Sequence, residues 1–298
     1  MNYYVRLAII MLAISSFTDV CRADGIDSET QKAESPSAAA PTDWNMQLSI
    51  GHLPSAGLES SSADAGISDY RIRILHDMKM NSDLTFSLGG GYALKQIDAP
   101  SRVALPDDLH GLFLELGARY RINDKAFASL KLNPGLYSDF KESGSDDLRM
   151  PLLALGGYNF ENGFTVVGGF IYRIGYHSSS FFPALGFTYQ PNADWRFDLI
   201  APRPAITYRA SRQLQLFAAG DFASDEYELH DRSSGAKAIK YGDYKVMAGL
   251  TYLPAPAVRI SASLGYAFER KFSFYDSARP DLRIDDIPFF RIALDWGW

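Results

Sequence analysis

Alternation of apolar and polar residues, repeated in segment after segment up to the last residue, is the feature that most constrains the fold of this chain. It starts in residues 44–50 (WNMQLSI) and recurs, for example, in residues 84–92 (LTFSLGGGY) and 258–268 (VRISASLGYAF). Successive side chains of a β-strand point to opposite faces, so a period of two predicts strands with one apolar and one polar face. We therefore predict an all-β fold.

The connections between the predicted strands alternate in length. Short turns are expected at residues 80–83, 123–125, 161–163, 191–194, 211–213 and 254–257, and mostly longer polar loops at residues 53–66, 96–108, 139–147, 230–240 and 271–283. Tight turns at one rim and long loops at the other are typical of a transmembrane antiparallel up-and-down β-barrel. The segments give about 14 strands, or about 12 if residues 195–200 and 205–210 form only a partial hairpin, with both termini in the periplasm.

Composition excludes several other classes. One cysteine excludes a disulfide scaffold, and 35 acidic against 29 basic residues exclude a basic nucleic-acid binder. The longest apolar run is the short stretch at residues 7–14, whereas a membrane-spanning helix needs about 20 apolar residues. Any passage through a bilayer is therefore made by strands.

A soluble sandwich or a lipocalin-like barrel is the main alternative, because it shows the same alternation. Its solvent face carries many Lys and Glu residues, whereas the polar face here is rich in Gly, Ser, Thr, Asn and Arg. The apolar face is also bounded by aromatic residues, as in the interfacial girdles of membrane barrels. The predicted lipid-facing girdle comprises Tyr92, Tyr120, Tyr158, Tyr172, Tyr189, Tyr252, Tyr266, Trp296 and Trp298.

The N-terminus has the pattern of an export signal. Arg6 precedes the apolar residues 7–17, and Ala23 supplies a small residue at a cleavage site, so residues 1–23 are predicted to be a signal peptide. Lipidation of Cys21 is a less favoured alternative, because residues 18–20 lack the expected sequence context. Residues 24–41 are polar and lack aromatics, which predicts a flexible periplasmic leader. The barrel then comprises residues 42–298, and the predicted location is the outer membrane.

The polar face is expected to line the barrel lumen, and it carries many charges. The cations are Arg71, Arg73, Lys95, Arg119, Arg121, Lys131, Arg173, Arg196, Arg209, Lys245, Arg259 and Arg291, and the anions are Asp77, Glu115, Asp198, Asp221, Asp243, Glu269 and Asp295. One interpretation is a hydrated lumen in which ion pairs brace the wall. The other is a passage whose basic lining favours anionic solutes, because rings of charge set selectivity in pores.

Evidence for catalysis or metal binding is weak. His177 and Ser179 have a His-x-Ser spacing that resembles the site of outer-membrane lipid deacylases, but Ser-rich loops are common and a polar hairpin loop is the favoured explanation. The acidic residues of segment 225–231 are expected to form a solvated rim rather than a Ca²⁺ site. We expect no catalytic residue, no metal and no cofactor.

The last strand carries a family resemblance. Trp298, preceded by apolar residues at every second position, resembles the C-terminal signature of proteins inserted by the bacterial outer-membrane assembly machinery, although most of these end in Phe. The signal, leader, alternating strands and terminal aromatic together resemble Gram-negative outer-membrane β-barrel proteins. Residues 187–209 (FTYQPNADWRFDLIAPRPAITYR) resemble more narrowly a family of such barrels without an assigned function.

The resemblance implies contact with outer-membrane lipid and lipopolysaccharide, insertion by the assembly machinery, and no nucleic-acid partner. It brings no catalytic residues with it. The favoured function is a passive pore for small solutes with a basic-leaning lumen. A structural, non-conducting barrel is the second hypothesis, and a lipid hydrolase is the third.

Overall fold

The computed structural model describes residues 44–59, 62–178, 180–222 and 224–298. The predicted signal peptide and leader, Cys21 and Ser179 therefore lie outside the described residues. The described helical segments are single 3-10 turns at Ser101–Val103, Ser145–Asp147 and Arg232–Ser234, and none of them is long and apolar enough to cross a membrane.

The chain forms a closed antiparallel β-barrel. Its strand segments are β1 (Trp44–Gly57), β2 (Asp64–Lys79), β3 (Leu84–Asp98), β4 (Asp108–Arg121), β5 (Ala126–Leu132), β6 (Gly135–Ser138), β7 (Leu148–Asn159), β8 (Phe164–Ile174), β9 (Phe181–Tyr189), β10 (Trp195–Ile200), β11 (Ala205–Arg209), β12 (Leu214–Asp221), β13 (Ser224–Glu228), β14 (Ala238–Ala255), β15 (Val258–Tyr275), β16 (Leu282–Ile284) and β17 (Ile287–Gly297).

The barrel wall has 14 strands, which confirms the larger of the two predicted numbers. Three wall strands are interrupted, so each consists of two segments that pair with the same neighbouring strand. These segments are β5 and β6, β12 and β13, and β16 and β17. Residues 195–200 and 205–210, for which a partial hairpin was the alternative prediction, form the complete hairpin of β10 and β11. β10 also pairs with β9, and β11 also pairs with β12. These two strands are short, six and five residues, so the wall is low at this point.

The first and last strands close the sheet. β1 pairs with β17 in an antiparallel register that runs from Asn45 opposite Gly297 to His52 opposite Phe290. The Trp44 and Trp298 backbones exchange two hydrogen bonds, of 3.3 and 3.1 Å, and their rings stack with centroids 6.2 Å apart. Closure removes the sheet edges, whose unpaired N–H and C=O groups would each cost several kcal/mol in hydrocarbon.

The apolar rows of the strands cover the outside of the barrel. In β4, Leu114 is 55% exposed, whereas its neighbours Phe113 and Glu115 are 4% and 9% exposed and point inward. The same exposed rows occur on the other long strands, as the exposed residues Ile72, Leu88, Val246 and Ile292 illustrate. Large exposed apolar surfaces mark contact with another phase, and on a closed barrel with aromatic girdles that phase is the bilayer.

The two rims of the barrel differ. The rim with the tight turns and both ends of the described barrel is named the turn rim, and the rim with the long connections is the loop rim. Towards the loop rim, the inward-facing rows change from charged to apolar residues, as at Leu53, Ile67, Ile97, Leu109 and Phe289. The interior therefore differs from the predicted hydrated lumen at this level, where it contains a packed hydrophobic core.

Candidate functional site

The outer part of the barrel interior is crossed by β13. One edge of β13 pairs with β14 at residues 238–242, and its other edge meets β6 in parallel at Glu228 opposite Ser138. The Asp139 N–H also donates a 3.2 Å hydrogen bond to the Glu228 carbonyl oxygen. β6 and β13 belong to wall strands on opposite sides of the barrel, so this contact spans the interior. β10 and β11 are short, and the described pairings join β11 to β12 but not to β13. β13 is therefore not held in the wall on that side and can reach β6 across the interior.

The contact divides the interior in two. The main compartment lies between β13 and the wall formed by β14–β17 and β1–β4. The side compartment lies between β13 and β7–β9. Alternate side chains of β13 enter different compartments: Asp225 and Tyr227 point into the main one, and Glu226 and Glu228 into the side one. β13 is therefore a partition with protein on both faces.

The main compartment is filled by the hydrophobic core. Its buried members among the described residues are Leu53, Ala56, Leu58, Ala63, Ala65, Ile67, Ile97, Val103, Leu109, Tyr227, Leu229, Ala236, Ile239, Tyr241, Ala267, Phe272, Phe274, Ile284 and Phe289. Burial of this apolar surface stabilises the position of β13 against the wall. The stabilisation is about 25 cal/mol for each Å² of apolar surface removed from water.

A layer of buried and half-buried charges lies on the turn-rim side of this core. Lys95 makes a short hydrogen bond to Asp69 and lies 3.8 Å from Asp225 of β13. The other pairs are Lys245 with Asp243 (2.6 Å), Arg291 with Asp221 (3.1 Å), Arg203 with Asp221 (3.2 Å) and Arg73 with Glu115 (3.3 Å). Lys95 thus joins the partition to β3, and the other pairs join wall strands to one another.

The side compartment holds a second buried charged group. Arg149 of β7 lies 3.1 Å from Glu228 and 3.7 Å from Glu226, and all three side chains are almost fully buried. Glu226 also accepts hydrogen bonds from the His177 N–H (2.7 Å) and the Ser178 hydroxyl (2.9 Å). Arg173 of β8 lies beside them, against the ring of Tyr176. This group joins β13 to β7, β8 and the β8–β9 connection.

A family model described as a domain of unknown function (DUF6268) matches residues 59–280. The matched span runs through β2 to β15 and includes β13, Arg149, Arg173 and the core of the main compartment. The chain belongs to the DUF6268 family. The DUF6268 match ends before β17, so the strand that closes the barrel on β1 lies beyond it.

Solved structures similar to this DUF6268 protein are outer-membrane barrels. The TodX monoaromatic hydrocarbon channel (deltaS2 mutant) has 9% identity and a TM-score of 0.53, and the match covers 85% of this chain and 88% of that chain. An outer membrane channel from Pseudomonas putida F1 has 10% identity, covers 89% and 99%, and has a TM-score of 0.49. The translocator domain of autotransporter NalP from Neisseria meningitidis has 12% identity, covers 99% and 96%, and has a TM-score of 0.43.

At these identities the likeness to the TodX channel shows a shared fold and nothing about a shared solute. The other two barrels have TM-scores below 0.5, and nothing further is inferred from their likeness. No curated protein matches the sequence. Fold, family and exposed apolar rows together identify the DUF6268 protein as an outer-membrane β-barrel.

The acidic segment 225–231 differs from the predicted solvated rim. Glu226 and Glu228 are buried and paired with Arg149, and the Asp139 carboxylate accepts hydrogen bonds from the backbone N–H groups of His230 and Asp231. The prediction was wrong because these carboxylates face an arginine inside the barrel. In the described part of the DUF6268 barrel, no group of three metal-binding side chains comes together.

The predicted hydrolase pair is only half described, because Ser179 lies outside the described residues. His177 Nδ1 is 3.4 Å from Glu226, and its ring stacks on Tyr275 with centroids 5.7 Å apart. His177 and Ser178 thus both contact the Glu226 carboxylate, which binds the β8–β9 connection to β13.

Most of the other predicted lumen charges lie nearer the turn rim. Arg71 and Arg119 stack on Phe113 and Phe127, Arg196 pairs with Asp198, and Asp295 accepts a hydrogen bond from Gln47. Arg121 donates to Asp83 in the β2–β3 turn, and this hydrogen bond lowers the pKa of the Asp83 carboxyl. Of the remaining predicted lumen charges, Lys131 and Arg209 are half-buried, and Asp77 and Arg259 are exposed. Asp77 accepts a hydrogen bond from Ser87. Arg259 lies opposite Asp295 on the neighbouring strand.

Glu269 departs from the predicted alternation. It is exposed with a φ of 52° and lies 3.7 Å from Arg283, whereas the next residue, Arg270, is buried. The register between β14 and β15 shifts between Gly242 and Tyr244, next to this position. Such a bulge inserts one residue and reverses which side chains point inward.

Of the predicted aromatic girdle, Tyr120, Tyr158, Tyr172, Tyr189, Tyr252 and Trp296 lie near strand ends, Trp298 directly follows β17, and Tyr92 and Tyr266 lie in the middle of β3 and β15. Tyr120, Tyr158, Tyr172, Tyr252, Tyr266, Trp296 and Trp298 are exposed on the outer face. Tyr92 and Tyr189 are half-buried, and the Tyr92 hydroxyl lies 2.7 Å from Nδ1 of His110.

Several buried interior charges escaped the sequence analysis. Asp69 shares the inward parity of Arg71 and Arg73, so the alternation itself contained the signal for it. Arg149 is an even number of residues from the inward-facing Leu153, so it faces the same way. The three consecutive apolar residues 151–153 (PLL) hide the apolar–polar alternation at this point. Asp225, Glu226 and Glu228 were predicted to lie in a solvated rim, because their segment has no apolar alternation that would signal a strand.

Proposed function

We propose that the protein is an outer-membrane channel for small solutes, closed in this conformation by β13 on the loop-rim side. The wall is a complete hydrogen-bonded cylinder without the β6–β13 contact, since β1 and β17 close it independently. Movement of β13 away from β6 would therefore open a path without breaking the barrel. The loop rim is the extracellular side in this proposal, as in other barrels of this class.

The β6–β13 contact is the observation that carries the proposal. It consists of a single parallel bridge at Glu228 and Ser138, supported by the Arg149 ion pairs and the Asp139 hydrogen bonds. Wall strands, by contrast, pair over many residues, as β14 and β15 do from Ala238 to Ala255. Contacts of limited extent open at a lower free energy than the wall, which is expected of an element that gates a path.

Current measurements on single barrels in planar bilayers test the proposal. The wild-type barrel is expected to be closed most of the time and to open briefly. The variant Arg149→Met leaves Glu226 and Glu228 without their cation, so it is expected to open more often. The control Lys125→Met removes an exposed pair with Glu161 in the turns and is expected to behave as wild type. Absence of current in wild type and in Arg149→Met would contradict the proposal.

A structural, non-conducting barrel is the second candidate. The core of the main compartment favours it, because well-packed apolar interiors resist hydration. The two candidates differ in one result: a structural barrel gives no current in any variant that keeps the core intact, whereas the channel conducts when the side-compartment contacts are weakened.

A further inference from the structure

Arg173 is the most unusual charge in the barrel. Its side chain is 1% exposed, and no described carboxylate or carbonyl oxygen accepts a hydrogen bond from its three guanidinium nitrogens, beside which the Tyr176 hydroxyl lies. The guanidinium carbon lies 3.8 Å from the ring centre of Tyr176 and 5.6 Å from that of Phe182. The rings interact with the faces of the planar group, and apart from the Tyr176 hydroxyl its N–H edge meets no strong acceptor among the described residues.

The nearby carboxylates are already engaged by other groups. Glu228 pairs with Arg149 at 3.1 Å. Glu226 lies 3.7 Å from Arg149 and accepts hydrogen bonds from the N–H groups of both His177 and Ser178 and from the Ser178 hydroxyl. The side compartment therefore brings the two buried arginines Arg149 and Arg173 against these two carboxylates, and the half-buried Lys240 at its edge lies near both Glu226 and Asp281.

Both carboxylates are engaged by Arg149 and by the β8–β9 connection, so Arg173 has no carboxylate at ion-pair distance among the described residues. A buried cation without a partner costs several kcal/mol, and a guanidinium edge is matched in geometry by a carboxylate or a phosphate, which accept two parallel hydrogen bonds. We propose that the side compartment is a binding site for a small oxyanion, a carboxylate or phosphate group, that accepts hydrogen bonds from Arg173 between β8 and β13. The site requires no conduction, so it holds whether the barrel is a channel or a structural element.

The site also has chemical selectivity built into it. The Tyr176 and Phe182 rings beside Arg173 and the buried Ile171 nearby give it apolar walls. Such walls favour a small anion that carries little further polar surface, because every additional buried polar group requires its own partner. We expect acetate and inorganic phosphate to bind, and chloride, which offers no pair of acceptor atoms, to bind more weakly.

Calorimetric titration of the full chain in detergent, at constant ionic strength, tests the site with inorganic phosphate, acetate and chloride as probes. Wild type is expected to bind phosphate or acetate, and Arg173→Met is expected to weaken that binding by at least about tenfold. The matched control Arg119→Met removes another inward-facing arginine that stacks on a ring, Phe127, and is expected to bind as wild type.

Thermal unfolding in buffer without oxyanions gives an independent readout. Arg173→Met is expected to be at least as stable as wild type there, because it removes a charge without breaking an ion pair, and to lose the stabilisation that phosphate gives wild type. If Arg173→Met does not fold, Arg173→Lys keeps the charge without the planar fork and is expected to fold and bind more weakly. Equal affinity in wild type and either variant, or no oxyanion binding by wild type, would overturn the proposal.

Discussion

Arg149 of β7 and Glu228 of β13 lie 3.1 Å apart across the side compartment, and both side chains are excluded from solvent. The pair joins wall strands that are far apart in the sheet order. It therefore couples the position of the partition to the wall, and its removal is the most direct way to alter the interior without touching the membrane surface.

The first prediction concerns this ion pair. Arg149→Met is expected to lower the free energy of unfolding by about 3–5 kcal/mol, because it leaves two buried carboxylates without their cation. Lys125→Met, at the exposed pair with Glu161, is expected to change it by less than about 1 kcal/mol. Urea-induced unfolding in lipid vesicles measures both. Equal effects of the two variants would show that the buried pair does not hold β13.

The second prediction concerns the core of the main compartment. Phe272 is fully buried inside the barrel, so Phe272→Ala is expected to lower the free energy of unfolding by about 3–5 kcal/mol by leaving a cavity. Leu264→Ala changes a side chain on the outer face that is 72% exposed, and lipid fills the space it leaves, so a smaller loss is expected. The same unfolding assay decides; a larger loss at Leu264 would mean that the interior is not packed.

The third prediction concerns insertion into the membrane. Trp298 forms two backbone hydrogen bonds with Trp44 and contacts the tilted ring of Trp296, with ring centres 5.2 Å apart. Deletion of Trp298 is expected to reduce the amount of folded barrel in the outer membrane, whereas Trp298→Phe is expected to keep it, since most strands of this type end in Phe. The control Trp195→Ala changes an exposed aromatic on β10. The fraction of folded protein on unheated gels measures the effect, and an undiminished amount after deletion would refute the proposed assembly signal.

The fourth prediction concerns selectivity. The interior cations named from the alternation lead us to propose a weak anion preference, although the additional carboxylates Asp69 and Asp225 reduce the excess of positive charge. The reversal potential of the open barrel in a KCl gradient gives the sign directly. A cation-selective current would rule out the basic-leaning lumen while leaving the channel itself intact.

Much of the fold followed from the sequence because a membrane barrel repeats one local rule. The alternation at β1 and β17 predicted both strands, whereas it left open whether residues 195–200 and 205–210 form a complete or only a partial hairpin. The rule fails where its physical basis changes. At Glu269 a bulge reverses the inward and outward sides, and at Ile67 and Leu109 the inward-facing side chain is apolar instead of polar because it contacts the interior core.

The partition was not predictable from the same rule. Both faces of β13 contact charged or apolar protein groups, so residues 224–228 (SDEYE) carry no apolar stripe. Their acidic composition resembles that of a solvated loop, and only the position of Arg149 and Lys95 on distant wall strands distinguishes the two. Long-range pairing of this kind leaves no periodic trace in a single sequence.

A reversible lock between β6 and β13 tests the central claim most directly. Ser138 and Glu228 are paired across the interior, so the double variant Ser138→Cys/Glu228→Cys is expected to form a disulfide there. Single-barrel recordings compare the oxidised and reduced states of the same double variant. Both states lack Glu228, so any difference in current between them is due to the disulfide. We predict that the oxidised barrel stays closed and that reduction restores frequent opening. Identical currents in the two states would contradict closure by β13.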